Sequence, residues 1–219
     1  MYTNFHGEIQ QSKYVDETLR EYFPDYDYRG VFIDIGAYEP INISNSYHFE
    51  KNNWNVYCIE ANTMLINDLK NQRQNVYNYA VYDKNKDNIE FSVVKAGYGG
   101  GSGMGGISAV ELSPQYMNTF YNGAEIIKIN VEQRTLNYLF ENVIKLNTFD
   151  IDIISIDVEG GELNVLKGLD LNKYNVKIFV IENVFNDPLI SDYLKQYNYI
   201  LDKRIDYNEY YKKLDQYVN

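Results

Sequence analysis

The residues of this sequence with the most chemistry in them are carboxylates at the ends of apolar runs. Asp34 lies in Val31-Phe32-Ile33-Asp34-Ile35, an apolar strand that runs straight into the turn Gly36-Ala37-Tyr38-Glu39-Pro40 and then a helix. An acid there can accept from a cationic ammonium, such as the amino group of a methionine moiety, and Gly36 lets the backbone approach a ligand closely. A second run, Asn55 to Glu60, ends in Glu60-Ala61-Asn62, with Glu60 26 positions after Asp34. That is near the offset at which an acid meets both ribose hydroxyls of a nucleoside. A third run ends in Asn78 to Asp83, where Ala80 and Val81 are small and apolar enough to lie against an adenine. A carboxylate at one strand end is often only a solvated cap, but the ordered trio describes a nucleoside site.

Two further runs deliver acids that the nucleoside does not use. Asp157 ends Ile151 to Asp157, Glu159 follows two residues on, and Glu182 ends Val176 to Glu182 with Asn183 beside it. All of them gather at the same carboxyl edge as Asp34 if these runs are parallel strands. Asp157 and Glu159 are the catalytic acids expected here. Glu162 is expected to open a helix, where a carboxylate favours the positive dipole end. His48 is a conceivable general base but reads better as a packed helix histidine, and His6 lies in an amino-terminal stretch expected to fray.

The elements that would position these residues follow from the hydrophobic pattern. The strand runs are Val31 to Ile35, Asn55 to Glu60, Val76 to Val81, Ile151 to Asp157 and Val176 to Glu182. They are nearly continuous in apolar residues, as strands buried on both faces are. Between them, Thr63 to Arg73, Thr135 to Leu146, Glu162 to Leu169 and Pro188 to Tyr197 carry apolar residues at helical spacing. The alternation is that of βαβ units around an open, mostly parallel sheet with helices on both faces. Ile9 to Phe23 predicts an extra helix, part of an amino-terminal helical extension over residues 1–29, and the tail from Tyr199 begins with a strand. Gly97 to Gly106, with seven glycines of the chain's 14, predicts a mobile loop between strands Ile89 to Val94 and Ile126 to Val131.

Length and composition bound the reading. The 219 residues fit one α/β domain spanning 1–219, and 45% hydrophobic with 23% charged residues is globular. A net charge of -11 repels a phosphate backbone, so duplex nucleic acid is not an expected partner. No run is long enough to span a membrane, and no export leader is visible, so a cytoplasmic location is expected. The single Cys58 forms no internal disulfide and reads as a buried core thiol. Gly101-Ser102-Gly103-Met104-Gly105-Gly106 matches the dinucleotide pattern by glycine content alone, and Pro114 interrupts the next segment too early for the helix that would receive a pyrophosphate.

In these motifs and their order, the sequence resembles the FkbM family of methyltransferases. The blocks that carry the resemblance are Val31 to Pro40, Ser44 to Lys51, Tyr57 to Asn62, Asp152 to Glu162 and Ile178 to Asn183. The resemblance implies a class I methyltransferase (Rossmann-like) fold, S-adenosylmethionine as donor, and a hydroxyl acceptor, often on a sugar or polyketide. It implies donor contacts from Asp34, Gly36, Ala37, Tyr38, Asn45, Glu60, Ala61, Ala80 and Val81. Pro40 replaces a glycine typical of the family. By analogy with metal-dependent O-methyltransferases, which carry an acid after the fourth strand and an acid-Asn pair after the fifth, Mg²⁺ would sit between Asp157, Glu182 and Asn183. Glu182 is one methylene longer than the acid of that pattern, and metal-free base catalysis by Asp157 or Glu159 stays open. A dehydrogenase or a non-catalytic binding module on the same fold class are the competing readings.

Overall fold

The computed structural model describes residues 1–95, 108–120 and 123–214, apart from the side chains of Lys95 and Ser108. The expected glycine-rich loop, Gly97 to Gly106, lies outside the described residues. Along the chain the elements are β1 (Ile9–Gln10), β2 (Lys13–Tyr14), α1 (Val15–Tyr22), β3 (Val31–Ile35), α2 (Tyr47–Lys51), β4 (Asn55–Ile59), α3 (Ile66–Gln72), β5 (Val76–Tyr77) and β6 (Ala80–Val81). There follow β7 (Lys86–Lys95), β8 (Ser108–Ala109), α4 (Pro114–Phe120), β9 (Glu125–Arg134) and α5 (Leu136–Tyr138), which continues as a π turn over Leu139–Val143. The chain closes with β10 (Asp150–Ile156), α6 (Glu162–Lys167), β11 (Asn175–Glu182), α7 (Pro188–Lys195), β12 (Tyr199–Ile205) and β13 (Asn208–Lys213).

The main sheet has seven strands in the order β12-β13-β11-β10-β3-β4-β5. β5, β4, β3, β10 and β11 are parallel to one another, and β13 enters antiparallel between β11 and β12. The chain starts at the centre, on β3, and winds outward in both directions, so β3 and β10 meet at a switch point whose carboxyl edge is open to a ligand. This is the open α/β sheet expected of a class I methyltransferase.

Strand alternation divides the core between the two faces. Ile33, Ile35, Ile154 and Ile156 pack with Leu136, Phe140, Val165, Leu166, Ile190 and Leu194 beneath α5, α6 and α7. Phe32, Val56, Cys58, Ile153 and Val180 pack on the other face with Val15, Leu19, Phe49, Ile66 and Leu69 of α1, α2 and α3. Each wholly buried Leu, Ile or Phe of this kind contributes roughly 1.5 to 3 kcal/mol. Asp34 shares the face of Phe32, which turns it toward α2. Cys58 is buried among these side chains, and burial pushes its thiol up to about 12.

Three local expectations need correcting. The amino-terminal segment is a β1–β2 hairpin before it is a helix, because Gln11 and Ser12 both adopt positive φ (46° and 72°), the geometry of a two-residue hairpin turn. The buried Asp16 carboxylate then accepts the N–H groups of His6 and Gly7 at 2.7 and 3.0 Å, so the start of the chain is tied down rather than frayed. The run Val76 to Val81 is two strands in different sheets: Asn78 donates to the carbonyls of Glu60 and Ala61 at 2.8 and 3.0 Å, breaking the strand and passing Ala80–Val81 to a second sheet of order β6-β9-β7-β8. No helix opens directly after Gly36. Pro40 and the positive φ of Ile43 (48°) hold residues 37–46 irregular until α2 starts at Tyr47.

Candidate active site

At the carboxyl edge of β3, β4, β10 and β11 lies a cavity of about 480 Å³, closed on one side by β6, β7, β8 and α4. All nine expected donor residues line it: Asp34, Gly36, Ala37, Tyr38, Asn45, Glu60, Ala61, Ala80 and Val81. Asp157, Glu159 and Glu182 line it as well.

The turn after β3 is built around Gly36. Its φ is +82°, and a Cβ there would stand 1.8 Å from the carbonyl oxygen of Asp157, so only glycine lets β3 and β10 end side by side. The N–H of Gly36 donates to Ile59 O at 2.9 Å, and that of Asp157 to Ile35 O at 3.0 Å, which fixes the three strand ends in one plane. The Glu60 carboxylate accepts the N–H of Tyr38 at 3.0 Å and of Asn62 at 2.7 Å, and burial raises its pKa. Tyr38, Ile43 and Glu159 are non-glycine residues at positive φ (47°, 48° and 59°), and all three line the cavity. Strained backbone of this kind collects at ligand sites, where the surrounding structure holds it.

Asp34 belongs to a buried network that sequence reasoning missed. Its carboxylate accepts from the Ser46 hydroxyl at 2.5 Å, Ser46 accepts from Arg73 Nη2 at 2.8 Å, and Arg73 Nε donates to Glu50 at 2.8 Å. Arg73 Nη1 also donates to Ser44 Oγ and to Pro40 O at 3.0 and 3.1 Å. Burial raises the Asp34 pKa, while Ser46 and then Arg73 oppose the rise. Asn45 donates to Ser155 Oγ at 3.2 Å, and its buried Oδ1 has no partner at the cavity wall.

The carboxylate oxygens of Asp157, Glu159 and Glu182 lie within 4.8 Å of one another. Burial first, and then the charge of neighbouring carboxylates (Glu8 and Glu162 for Asp157, Asp157 for Glu159 and Glu182), drives all three pKa values upward, that of Asp157 to about 8. The Tyr116 hydroxyl donates to Glu182 at 3.1 Å. Glu162 stands behind the cluster and takes a different role. Its Oε1 accepts the N–H groups of Val158 and Gly160 at 3.2 and 2.9 Å, holding the turn that presents Glu159. It opens α6 as expected, though buried rather than solvated.

Asn183 is a correction. Its Oδ1 accepts the N–H of Asp187 at 2.7 Å, and its Nδ2 donates to Asp187 O and to Glu209 Oε2, both at 3.0 Å. The amide is consumed by the turn into α7, so the residue beside Asp157 and Glu182 is Glu159. His48 is the packed histidine that its sequence setting suggests: Nδ1 pairs with Asn4 O at 2.8 Å, the Phe5 ring packs tilted against it with centroids 4.5 Å apart, and burial lowers its pKa to about 4.

The FkbM methyltransferase domain pattern matches residues 34–201. The chain belongs to the FkbM methyltransferase family. The match opens on Asp34 and takes in the residues of the cavity's donor side and of its acid cluster, so this FkbM protein is a methyltransferase of the S-adenosylmethionine-dependent kind. No curated protein matches the sequence. Among solved structures, it is similar to the Pyrococcus horikoshii protein PH1948, described as a candidate RNA methyltransferase, at TM-score 0.46 and 9% identity over 99% of this chain and 91% of that one. It is also similar to a precorrin-6Y C5,15-methyltransferase from Geobacter metallireducens, at TM-score 0.45 and 12% identity over 96% and 94% of the two chains. At these scores neither says anything about the acceptor of the FkbM chain.

The donor fits the residues present. The buried, unpartnered Asn45 Oδ1 can accept from its ammonium, Glu60 retains acceptor capacity for hydroxyls, and Ala80 and Val81 offer an apolar wall. Sequence reasoning missed Glu8, Tyr116, Phe120 and Tyr207, which also line the cavity. They lie far from the motifs in sequence, and no spacing could have found them. No helix among the described residues is long and apolar enough to cross a membrane.

Proposed function

We propose that this protein transfers the methyl group of S-adenosylmethionine to a hydroxyl of a sugar or glycan, with Asp157 and Glu159 receiving the hydroxyl's proton. The observation that carries this reading is the approach of the Asp157, Glu159 and Glu182 oxygens to within 4.8 Å of one another on the wall of the donor cavity. The bound donor supplies an electrophilic methyl carbon on a sulfonium. Attack on such a carbon is in-line, so the first task of the chain is alignment. Asp34, Asn45 and Glu60 would orient the donor, while Tyr116, Phe120 and Tyr207 offer ring faces to the acceptor.

The acceptor oxygen forms its bond to carbon as the carbon–sulfur bond breaks, and its proton passes to the acid cluster. Burial and neighbouring carboxylates oppose ionisation of these acids, and the pKa of Asp157 is raised to about 8. An acid with so raised a pKa is, once ionised, a stronger base than an ordinary carboxylate. Incorporation of labelled methyl into a panel of sugars and glycans tests this. Asp157→Asn should lower kcat by about 10² to 10⁴ with donor affinity nearly intact, and unchanged turnover would remove the base.

A second reading is favoured by the same geometry. Hard oxygen ligands this close together suit Mg²⁺, which would bind the acceptor oxygen and lower its pKa. The ligands would be Asp157, Glu182 and Glu159, the last in place of Asn183. Activity that survives exhaustive EDTA and is not raised by Mg²⁺ or Mn²⁺ excludes it.

A further inference from the structure

We infer that the acceptor is a cation: a hydroxyl compound carrying a protonated amine beside its hydroxyl, such as an amino sugar with its amine free, rather than a phosphorylated or nucleotide-activated sugar. This rests on the reading of the cavity as a methyl-transfer site and concerns its acceptor half. Besides Asp34 and Glu60 on the donor side, Glu8, Glu111, Asp157, Glu159 and Glu182 line the cavity, and none of its described lining residues is Lys, Arg or His. Among the residues whose side chains are not described, 95–108, 121–122 and 215–219, Lys95 alone is basic.

Three arginines of the fold are engaged elsewhere. Arg73 is spent on Glu50 and Ser46, Arg204 pairs with Glu209 at 2.6 Å, and Arg20 lies over the Tyr26 ring at 3.9 Å. Among the described side chains, a phosphate entering this wall would meet acids and no guanidinium or ammonium to pair with. An ammonium would instead donate charge-assisted hydrogen bonds to the cluster and relieve its crowding. Glu8 is held at the wall by the fold of the amino terminus: its carbonyl accepts the N–H of Val15 at 2.9 Å, and Asn208 donates to its carboxylate at 3.1 Å. Tyr116, held by Glu182, and Tyr207 supply ring faces on which a cation is also favourable.

The test is a thermal-shift comparison at pH 7 with EDTA present and S-adenosylhomocysteine saturating, using glucosamine, N-acetylglucosamine and glucose 6-phosphate at equal concentration and ionic strength. Glucosamine should raise the Tm by about 2 to 4 °C, the response of a chain this size to a ligand at a few times its Kd. The other two should leave it unchanged, and the glucosamine shift should disappear in both Glu159→Gln and Glu182→Gln, whose own melting curves report that they fold. An equal or larger shift with N-acetylglucosamine or the phosphate, or none with glucosamine, overturns the proposal. If S-adenosylhomocysteine alone gives no shift, the methyl-transfer reading beneath it has failed instead.

Discussion

Glu60 accepts the backbone N–H of Tyr38 at 3.0 Å, so the acid at the end of β4 clamps the turn at the end of β3. The acid proposed to meet the ribose therefore also shapes the turn proposed to meet the amino-acid part of the donor. Binding and turn geometry are coupled through one side chain.

Replacing Glu60 tests that coupling. Glu60→Ala should weaken S-adenosylhomocysteine binding by about 1 to 3 kcal/mol, the scale of hydrogen bonds to a charged group, while Glu60→Gln should lose less because its amide oxygen can still accept one N–H. Calorimetric titration of the folded variants reads the difference.

Gly36→Ala should fail on sterics and backbone together. A Cβ would stand 1.8 Å from Asp157 O in a residue whose φ is +82°. The cost should be about 3 kcal/mol or more in urea unfolding, accompanied by loss of donor binding. A variant as stable as the parent would mean that β3 and β10 can separate freely.

The acid cluster makes stability depend on pH in a defined direction. Asp157 is raised from 3.8 to about 8, and Glu159 and Glu182 are raised too, so between these limits the native state holds more protons than the unfolded chain. Stability is therefore fullest on the acid side and is lost as pH rises toward 8. Asp16, raised to about 7 by burial, adds to the same slope. Asp157→Asn should flatten that slope and raise stability at pH 8 by about 1 to 3 kcal/mol, allowing for water in the cavity, while lowering turnover. Melting curves from pH 5 to 8 check it, and a parent chain that gains stability over that range contradicts it.

Arg73 should behave as a structural keystone. Arg73→Ala leaves Glu50 unpaired and removes the donor to Ser46, which holds Asp34, and breaking a buried pair in this way costs about 3 to 5 kcal/mol. Arg73→Lys should recover only part of this, since one ammonium cannot serve Glu50, Ser44 and Ser46 at their present positions. Urea denaturation of both variants is the measurement.

The sheet was legible in the sequence because its strands are buried on both faces: Val31–Ile35 and Asn175–Glu182 announce themselves as apolar runs, each with an acid at or next to its carboxyl end. The features that were not legible depended on single hydrogen bonds. Asn78 splits a strand by donating to two carbonyls across the turn, and Asn183 leaves the acid cluster because Asp187 and Glu209 take its amide. The Asp34–Ser46–Arg73 network spans three elements, and nothing in the local sequence around Ser46 points to a partner 27 residues away. Glu8 and Tyr207 reach the cavity from opposite ends of the chain.

Calorimetric titration with S-adenosylhomocysteine, set against NAD as control, tests the central claim most directly. The protein should bind one S-adenosylhomocysteine per chain, fail to bind NAD, and lose about fivefold or more in affinity on Glu60→Ala. Absence of binding to the folded parent, binding of NAD in its place, or a Glu60→Ala variant that binds unchanged would contradict the assignment of this cavity to the methyl donor.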